Sequence, residues 1–384
     1  MPRRKVMLLI ETSNAYARGL LDGIVAWETE HEQWSICLPE QERGSAPPGW
    51  LRRWDGDGII ARIETEAIAK AIDRKALPAI DVSAARHLPN LPWVETDDDM
   101  IARLAFEHLS ERGFENIGFC GERFFKWSKM RESYFVSHAK SAGIRCHVLN
   151  STCRQEECYS WNRERKRLLN WLDRLPKPAG IMTSYDIKGQ QVLDACLELG
   201  LAVPEQIAVI GVDNDPHLCN LCTPRLTSIQ PDTKRTGYEA ARLLDRMMAG
   251  EAVEPKPHLI GPLGIEERLS TDIVAIDDVE VSRAMRFIRE QAFNGIGVAD
   301  VVRETSLSRR SLESRFMRFL GRTPHQEIER LRMDRVKRLL RASSLKLQVI
   351  AERTGFRSSD YLTVAFKRCF GQTPGAYRRY DEPD

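Results

Sequence analysis

The pattern of apolar residues changes character once along this chain, and that change constrains the fold more than any other feature. Up to about residue 270, short apolar runs alternate with amphipathic segments. Val6–Ile10, Gly58–Ala61, Ala79–Val82, Ile117–Cys120, Ile181–Thr183 and Ile207–Val212 are almost continuously apolar, as strands covered on both faces must be. Between them Ala15–Glu28, Glu66–Arg74, Met100–Arg112, Lys126–Ala142, Glu164–Leu175, Lys188–Leu199 and Thr236–Ala249 carry apolar residues at helical spacing. Three of these segments stop at Gly113, Gly143 and Gly200, where a left-handed residue can end a helix. Regular β-α alternation predicts an open, doubly wound α/β architecture, and this length suits two lobes better than one. From Val281 the strand signals vanish and only helical patterns remain. The expected organisation is an α/β domain over residues 1–272, an acidic linker over 273–280, and an all-α domain over 281–384.

Charge follows the same division. The whole chain carries +2, but from residue 283 onward 22 Lys/Arg face 12 Asp/Glu, so the tail carries +10 and the remainder −8. A small basic domain beside a larger acidic one suits an anionic polymer at one end and a different task at the other. Nine scattered cysteines fit a reducing cytoplasm, and Cys219-Asn-Leu-Cys222 has neither a second pair nor a strand-to-helix redox context. No run reaches the roughly 18 apolar residues of a membrane span, and Glu11 cuts short the apolar run after the basic start, against a signal peptide.

Within the tail, Leu347–Arg353 reads as a short helix, Thr354-Gly355-Phe356 as a tight turn, and Asp360–Phe370 as a second helix capped by Ser358 or Ser359. Leu362, Ala365, Phe366 and Phe370 form its inner stripe, with a polar face opposite. That is a helix-turn-helix, whose second helix enters the DNA major groove. An earlier unit repeats the plan: Val298–Glu304 leads, Ser308 caps, and Leu312, Phe316 and Leu320 face inward. A basic helix near Glu327–Arg341 would join the two units and hold them about one turn of DNA apart.

The run from Ile350-Ala-Glu-Arg-Thr-Gly-Phe through Phe370-Gly-Gln-Thr-Pro374 to Arg379 resembles the AraC/XylS transcription regulators, and with the first unit the resemblance covers about a hundred residues. The first turn departs from that pattern, with Ser306 where glycine is usual. The resemblance implies double-stranded DNA as partner. It places Ser308, Arg309, Arg310, Glu313 and Ser314 in the first DNA-facing set, and Arg357, Ser358, Ser359, Asp360, Thr363, Val364 and Lys367 in the second.

Ligands of open α/β sheets sit outside the carboxyl ends of the strands. There the chain offers Glu11-Thr-Ser-Asn-Ala-Tyr16, Asp81-Val-Ser83, Glu122-Arg123, Ser184-Tyr-Asp186 and Asp213-Asn-Asp215, carboxylates and aromatics of the kind that bind sugars. Pro204-Glu-Gln-Ile-Ala-Val-Ile-Gly-Val-Asp-Asn214 and Leu226-Thr-Ser-Ile-Gln230 resemble the periplasmic-binding-protein fold of the LacI/GalR regulators, over about residues 5–270. With the first strand expected to begin at residue 6, that family's DNA-binding headpiece is not expected ahead of it. Gly211-Val-Asp-Asn, Ile265-Glu-Glu-Arg-Leu-Ser-Thr-Asp272 and Ala284-Met-Arg-Phe-Ile288 are similar to the xylose-operon activator type of AraC-family regulator. This resemblance implies D-xylose or a related monosaccharide as effector. It singles out Asp213, Arg131 and Asp186, and more weakly Ser13, Tyr16, Asp81, Asn214 and Gln230. It also implies a homodimer and, for an activator, RNA polymerase as partner.

An enzyme reading finds no nucleophile elbow, P-loop, dinucleotide fingerprint or metal-ligand spacing, and no cofactor is expected. Asp97-Asp-Asp99 precedes a helix, where acidic residues favour the dipole. A constitutive DNA-binding regulator, whose α/β part dimerises or binds a non-sugar ligand, is the alternative reading.

Overall fold

The computed structural model of the chain describes residues 3–153, 156–272 and 278–379. It divides into two compact units, Met1–Asp272 and Ile273–Asp384. Of the span read as a linker, 273–277 lies outside the described residues. Asp278 already caps the helix Val279–Gln291, so the helical region starts two residues earlier than its periodicity indicates.

The first unit holds two six-stranded sheets. One runs, in spatial order, Pro257–Ile260, Trp93–Thr96, Ala79–Asp81, Gly58–Ala61, Arg4–Leu9 and Trp34–Cys37, all parallel. The other runs Gly264–Glu266, Thr227–Gln230, Ile207–Val212, Ala179–Thr183, Asn116–Glu122 and Cys146–Ser151, parallel except for its first strand. The chain passes between lobes three times, after Thr96, after Gln230 and after Ile260. Asp97 and Asp232 cap the helices that follow the first two passages, giving their leading N–H groups side-chain acceptors. Each central strand was legible because both its faces are buried: Ile207–Val212 and Gly58–Ala61 have no exposed residue. The six strands that periodicity missed are short, at an edge, or mixed in polarity. Cys146–Ser151 is only half-buried on an outer edge, and Pro257–Ile260 begins with a residue that cannot donate to a ladder.

The second unit is all helical: Val279–Gln291, Val298–Arg303, Arg309–Leu320, Pro324–Ala342, Leu347–Arg353, Ser359–Phe370 and Pro374–Arg379. Its later half packs Met333, Val336 and Leu340 of the long helix against Ile350, Phe356, Leu362 and Phe366. The basic residues of that helix are largely committed to the unit itself. Arg332 donates to the carbonyls of Ala292 (2.6 Å) and Ile296 (2.8 Å), and Arg335 lies over the Phe293 ring. Glu327 is fully buried between Arg322 and Arg330; burial opposes its charge, but the two guanidiniums outweigh this and hold its carboxyl below the usual range. Among the described residues no helix is long and apolar enough to cross a membrane.

Candidate effector cleft and nucleic-acid interface

Between the two lobes of the first unit lies a narrow cleft, most of whose wall is charged or aromatic. Tyr16, Arg43, Arg62, Ser83, Glu95 and Thr96 come from the first lobe, Trp127, Arg131 and Asp213 from the second, and Asp98 from the first passage between them. Its chemistry is that of paired charges with aromatic walls. Arg131 donates from Nε to Asp98 (2.8 Å) and from Nη1 to the Ser184 carbonyl (2.7 Å), lies 4.0 Å from Asp213, and stacks on Trp127. Arg62 is clamped between Glu11 and Glu64 under the Tyr16 ring. Arg43 reaches from a first-lobe loop to within 5.6 Å of three second-lobe rings, Phe125, Trp127 and Tyr185. A second tie across the lobes joins Arg18 to Asp215 at 3.4 Å.

Burial dominates the protonation of this wall. It pushes the Glu95 carboxyl up to about 7, against the pull of the paired Arg86, and the Tyr16 hydroxyl up to about 12. It raises Asp98 and Asp213 as well, although the arginines beside them oppose the shift. Two buried donors of the lining side chains, Arg62 Nε and Trp127 Nε1, have no hydrogen-bond partner among the described residues.

Of the effector residues expected from sequence, Tyr16, Arg131 and Asp213 lie on the cleft wall, and the other five do not. Ser13 is exposed ahead of the helix that Asn14 caps. Asp81 is buried, accepting from the Ser83 amide and hydroxyl, and so fixes a lining residue without lining the cleft itself. Asp186 is 1% exposed and bonded to Ser228 and the Asp215 amide. Asn214 accepts from Arg268 at 2.7 Å, and the exposed Gln230 accepts from Asn214. Sequence reasoning missed Glu95, Thr96 and Asp98 because it missed the strand Trp93–Thr96 that ends beside them. Arg62 was within reach of the same rule, since it directly follows the strand Gly58–Ala61. Arg43, in a loop without periodicity, carried no signal. The triplet Asp97-Asp98-Asp99 has three separate jobs: a helix cap, a cleft carboxylate and a partner for His138 at 2.8 Å.

In the second unit both helix-turn-helix pairs form. Gly355 turns the second at φ +74. In the first, Ser306 has no positive φ; its N–H donates to Glu280 at 2.6 Å, and Thr305 Oγ1 donates to the Val302 carbonyl. A side chain from the helix Val279–Gln291 thus supports a turn that lacks glycine. Ser308 and Ser358 are N-caps, accepting from the Ser311 and Tyr361 amides. Arg309 pairs with Glu313 at 2.9 Å, and Thr363 donates to the Ser359 carbonyl. Arg310, Ser314, Arg357, Asp360, Val364 and Lys367 stand exposed, while Ser359 is half-buried. Arginine, serine and apolar side chains are among the groups that read base edges.

Three family descriptions match this chain in succession: XylR N-terminal domain over residues 5–99, periplasmic binding protein-like domain over 106–271, and helix-turn-helix domain over 301–380. The xylose operon regulatory protein of Escherichia coli strain K12 is 30% identical over 387 residues, covering 98% of this chain and 97% of that protein. Its counterpart in Haemophilus influenzae is 29% identical, over 97% and 98%. A solved structure described as the xylose-binding transcription activator xylR superposes with a TM-score of 0.85 at 29% identity, over the whole of both chains. The chain belongs to the family of xylose operon regulatory proteins, transcription regulators in which a periplasmic-binding-protein-like domain precedes a helix-turn-helix domain.

Proposed function

We propose that D-xylose, or a pentose close to it, enters the cleft and controls which DNA half-sites the helix-turn-helix unit occupies. The observation that carries this reading is the cleft wall itself, which sets the ionisable side chains of Arg62, Glu95, Asp98, Arg131 and Asp213 beside the Tyr16 and Trp127 rings. A ring with several hydroxyls can both donate to carboxylates and accept from guanidinium and indole N–H groups, while an aromatic wall covers its C–H face. Ligand and protein couple through differential affinity: a sugar bridging the lobes favours the arrangement in which both lobes touch it. Arg310, Ser314, Asp360 and Val364 are the groups proposed to face bases, with Arg357 and Lys367 against phosphates. The protein is proposed to act in the cytoplasm as a homodimer on two half-sites, and as an activator to engage RNA polymerase. The similarity to a xylose operon regulatory protein and to a xylose-binding transcription activator supports the effector and the direction of control. Footprinting on DNA upstream of the source organism's xylose genes tests the reading. D-xylose is expected to extend or strengthen protection, and identical footprints with and without saturating sugar would refute the switch.

A further inference from the structure

The turn that presents Asp213 is built against the preferences of its residues. Asp213 has φ +106 and Asn214 φ +49, two consecutive non-glycine residues in backbone regions that disfavour a Cβ. Such a conformation persists only where the surroundings hold it. Here the holding groups are buried and are not part of the cleft lining. The Asp186 carboxylate accepts from the Asp215 amide at 2.7 Å through one oxygen and from the Ser228 hydroxyl at 2.6 Å through the other. Ser228 Oγ in turn accepts from the Asn214 amide at 3.0 Å, and the Asp213 amide donates to the Ile229 carbonyl. Three successive N–H groups of the turn are therefore satisfied by one carboxylate, one hydroxyl and one carbonyl. Asp186 is 1% exposed and Ser228 is fully buried, so neither touches solvent or cleft. Space for this arrangement is itself built in: a Cβ at Gly211 would overlap Asp186 Oδ1.

We infer that Asp186 and Ser228 are positioning residues for effector binding, holding Asp213–Asn214–Asp215 in the left-handed turn that places the Asp213 carboxyl on the cleft wall. The inference rests on the reading of the cleft as a pentose site. It goes beyond that reading by assigning Asp186 to the support of the site rather than to the sugar.

Titration calorimetry of the intact protein with D-xylose tests it, with melting temperature as the check on folding. Asp186→Ala is expected to weaken binding about 10- to 100-fold, as loss of a group that orients a ligand-contacting residue does. Asp186→Asn is expected to recover affinity to within about 3-fold of the original, because its amide oxygen can accept from Asp215 N–H while its NH₂ donates to Ser228 Oγ. Ser228→Ala, which removes one prop and leaves the carboxylate, is expected to give an intermediate loss; it carries the decision if Asp186→Ala does not fold. A double-mutant cycle separates positioning from direct contact. On an Asp213→Asn background, Asp186→Ala is expected to add less than about 3-fold, since both changes act on one interaction. Unchanged affinity in Asp186→Ala, or in Ser228→Ala where that variant decides, would overturn the inference. So would losses that multiply in the cycle, because Asp186 would then act independently of Asp213. Absence of xylose binding by the unsubstituted protein is a different failure, of the cleft reading itself, and takes this inference with it.

Discussion

Substitution of Gly355 by alanine isolates what one turn contributes to the DNA-facing unit. Gly355 sits at φ +74, and a Cβ there would lie 2.9 Å from the Ala292 carbonyl oxygen and 3.0 Å from Gly295 N and Phe293 C. All three are backbone atoms, which cannot rotate aside as a side chain can. The left-handed conformation alone costs an alanine about 1–2 kcal/mol, and pushing a packed backbone segment away adds about 1–2 kcal/mol more. A total near 3 kcal/mol lowers the melting temperature of a unit of about a hundred residues by roughly 10–25 °C. Gly371 provides the internal control: it has φ +72, but nothing lies within 4 Å of its would-be Cβ, so Gly371→Ala carries the backbone strain without the clash. Calorimetric melting of the intact protein, followed through the transition of the helical unit, should place Gly355→Ala well below Gly371→Ala. Equal losses in the two variants would refute the claim that close packing of the second turn on the segment 292–295 is what demands glycine there.

Other consequences follow from single groups. Burial pushes the Asp81 carboxyl up to about 8, so between about pH 4 and 8 the folded state holds a proton that the unfolded chain has released, and stability falls as pH rises through that window. Asp81→Asn should flatten this slope between pH 5.5 and 7.5 in thermal melts, and an unchanged slope would contradict the assignment. Glu327→Ala leaves Arg322 and Arg330 without their shared buried partner; an unfolding loss of roughly 2–4 kcal/mol is expected, less than for fully buried cations because both arginines are partly solvated. Arg310→Ala should cost about 1–3 kcal/mol of DNA affinity and relax preference at one base pair, whereas Lys367→Ala should weaken all sequences alike and reduce the salt slope by about one. A gel-shift panel over single-base variants at several salt concentrations distinguishes the two, and identical behaviour would undo the division into base and phosphate contacts.

The two-part organisation and the helical tail were legible because they rest on periodicity, which burial imposes directly. Ile207–Val212 and Leu362–Phe366 announce themselves in this way. The cleft was half legible. Tyr16, Arg131 and Asp213 follow from the rule that ligands meet strand ends and from family resemblance, but Glu95 and Asp98 depend on Trp93–Thr96, whose Glu and Thr hide a short strand. Asp186 shows the limit of the rule. It stands at the end of a strand as a ligand would, yet its carboxylate turns toward Ser228 and the Asp215 amide, a choice made by tertiary neighbours far away in sequence. Ser306 is the converse case: its turn departs from the glycine pattern, and Glu280, 26 positions earlier, supplies the missing support.

The measurement closest to the central claim is titration of D-xylose into the intact protein and into its Asp213→Asn variant, with ribose, arabinose and glucose as comparisons. The account predicts saturable heat with one sugar per chain, preference for D-xylose or a near relative, and at least about a tenfold weakening in the variant, the loss of one strong hydrogen bond to a charged group. No heat with any sugar of the panel, or equal affinity in the variant, would contradict it.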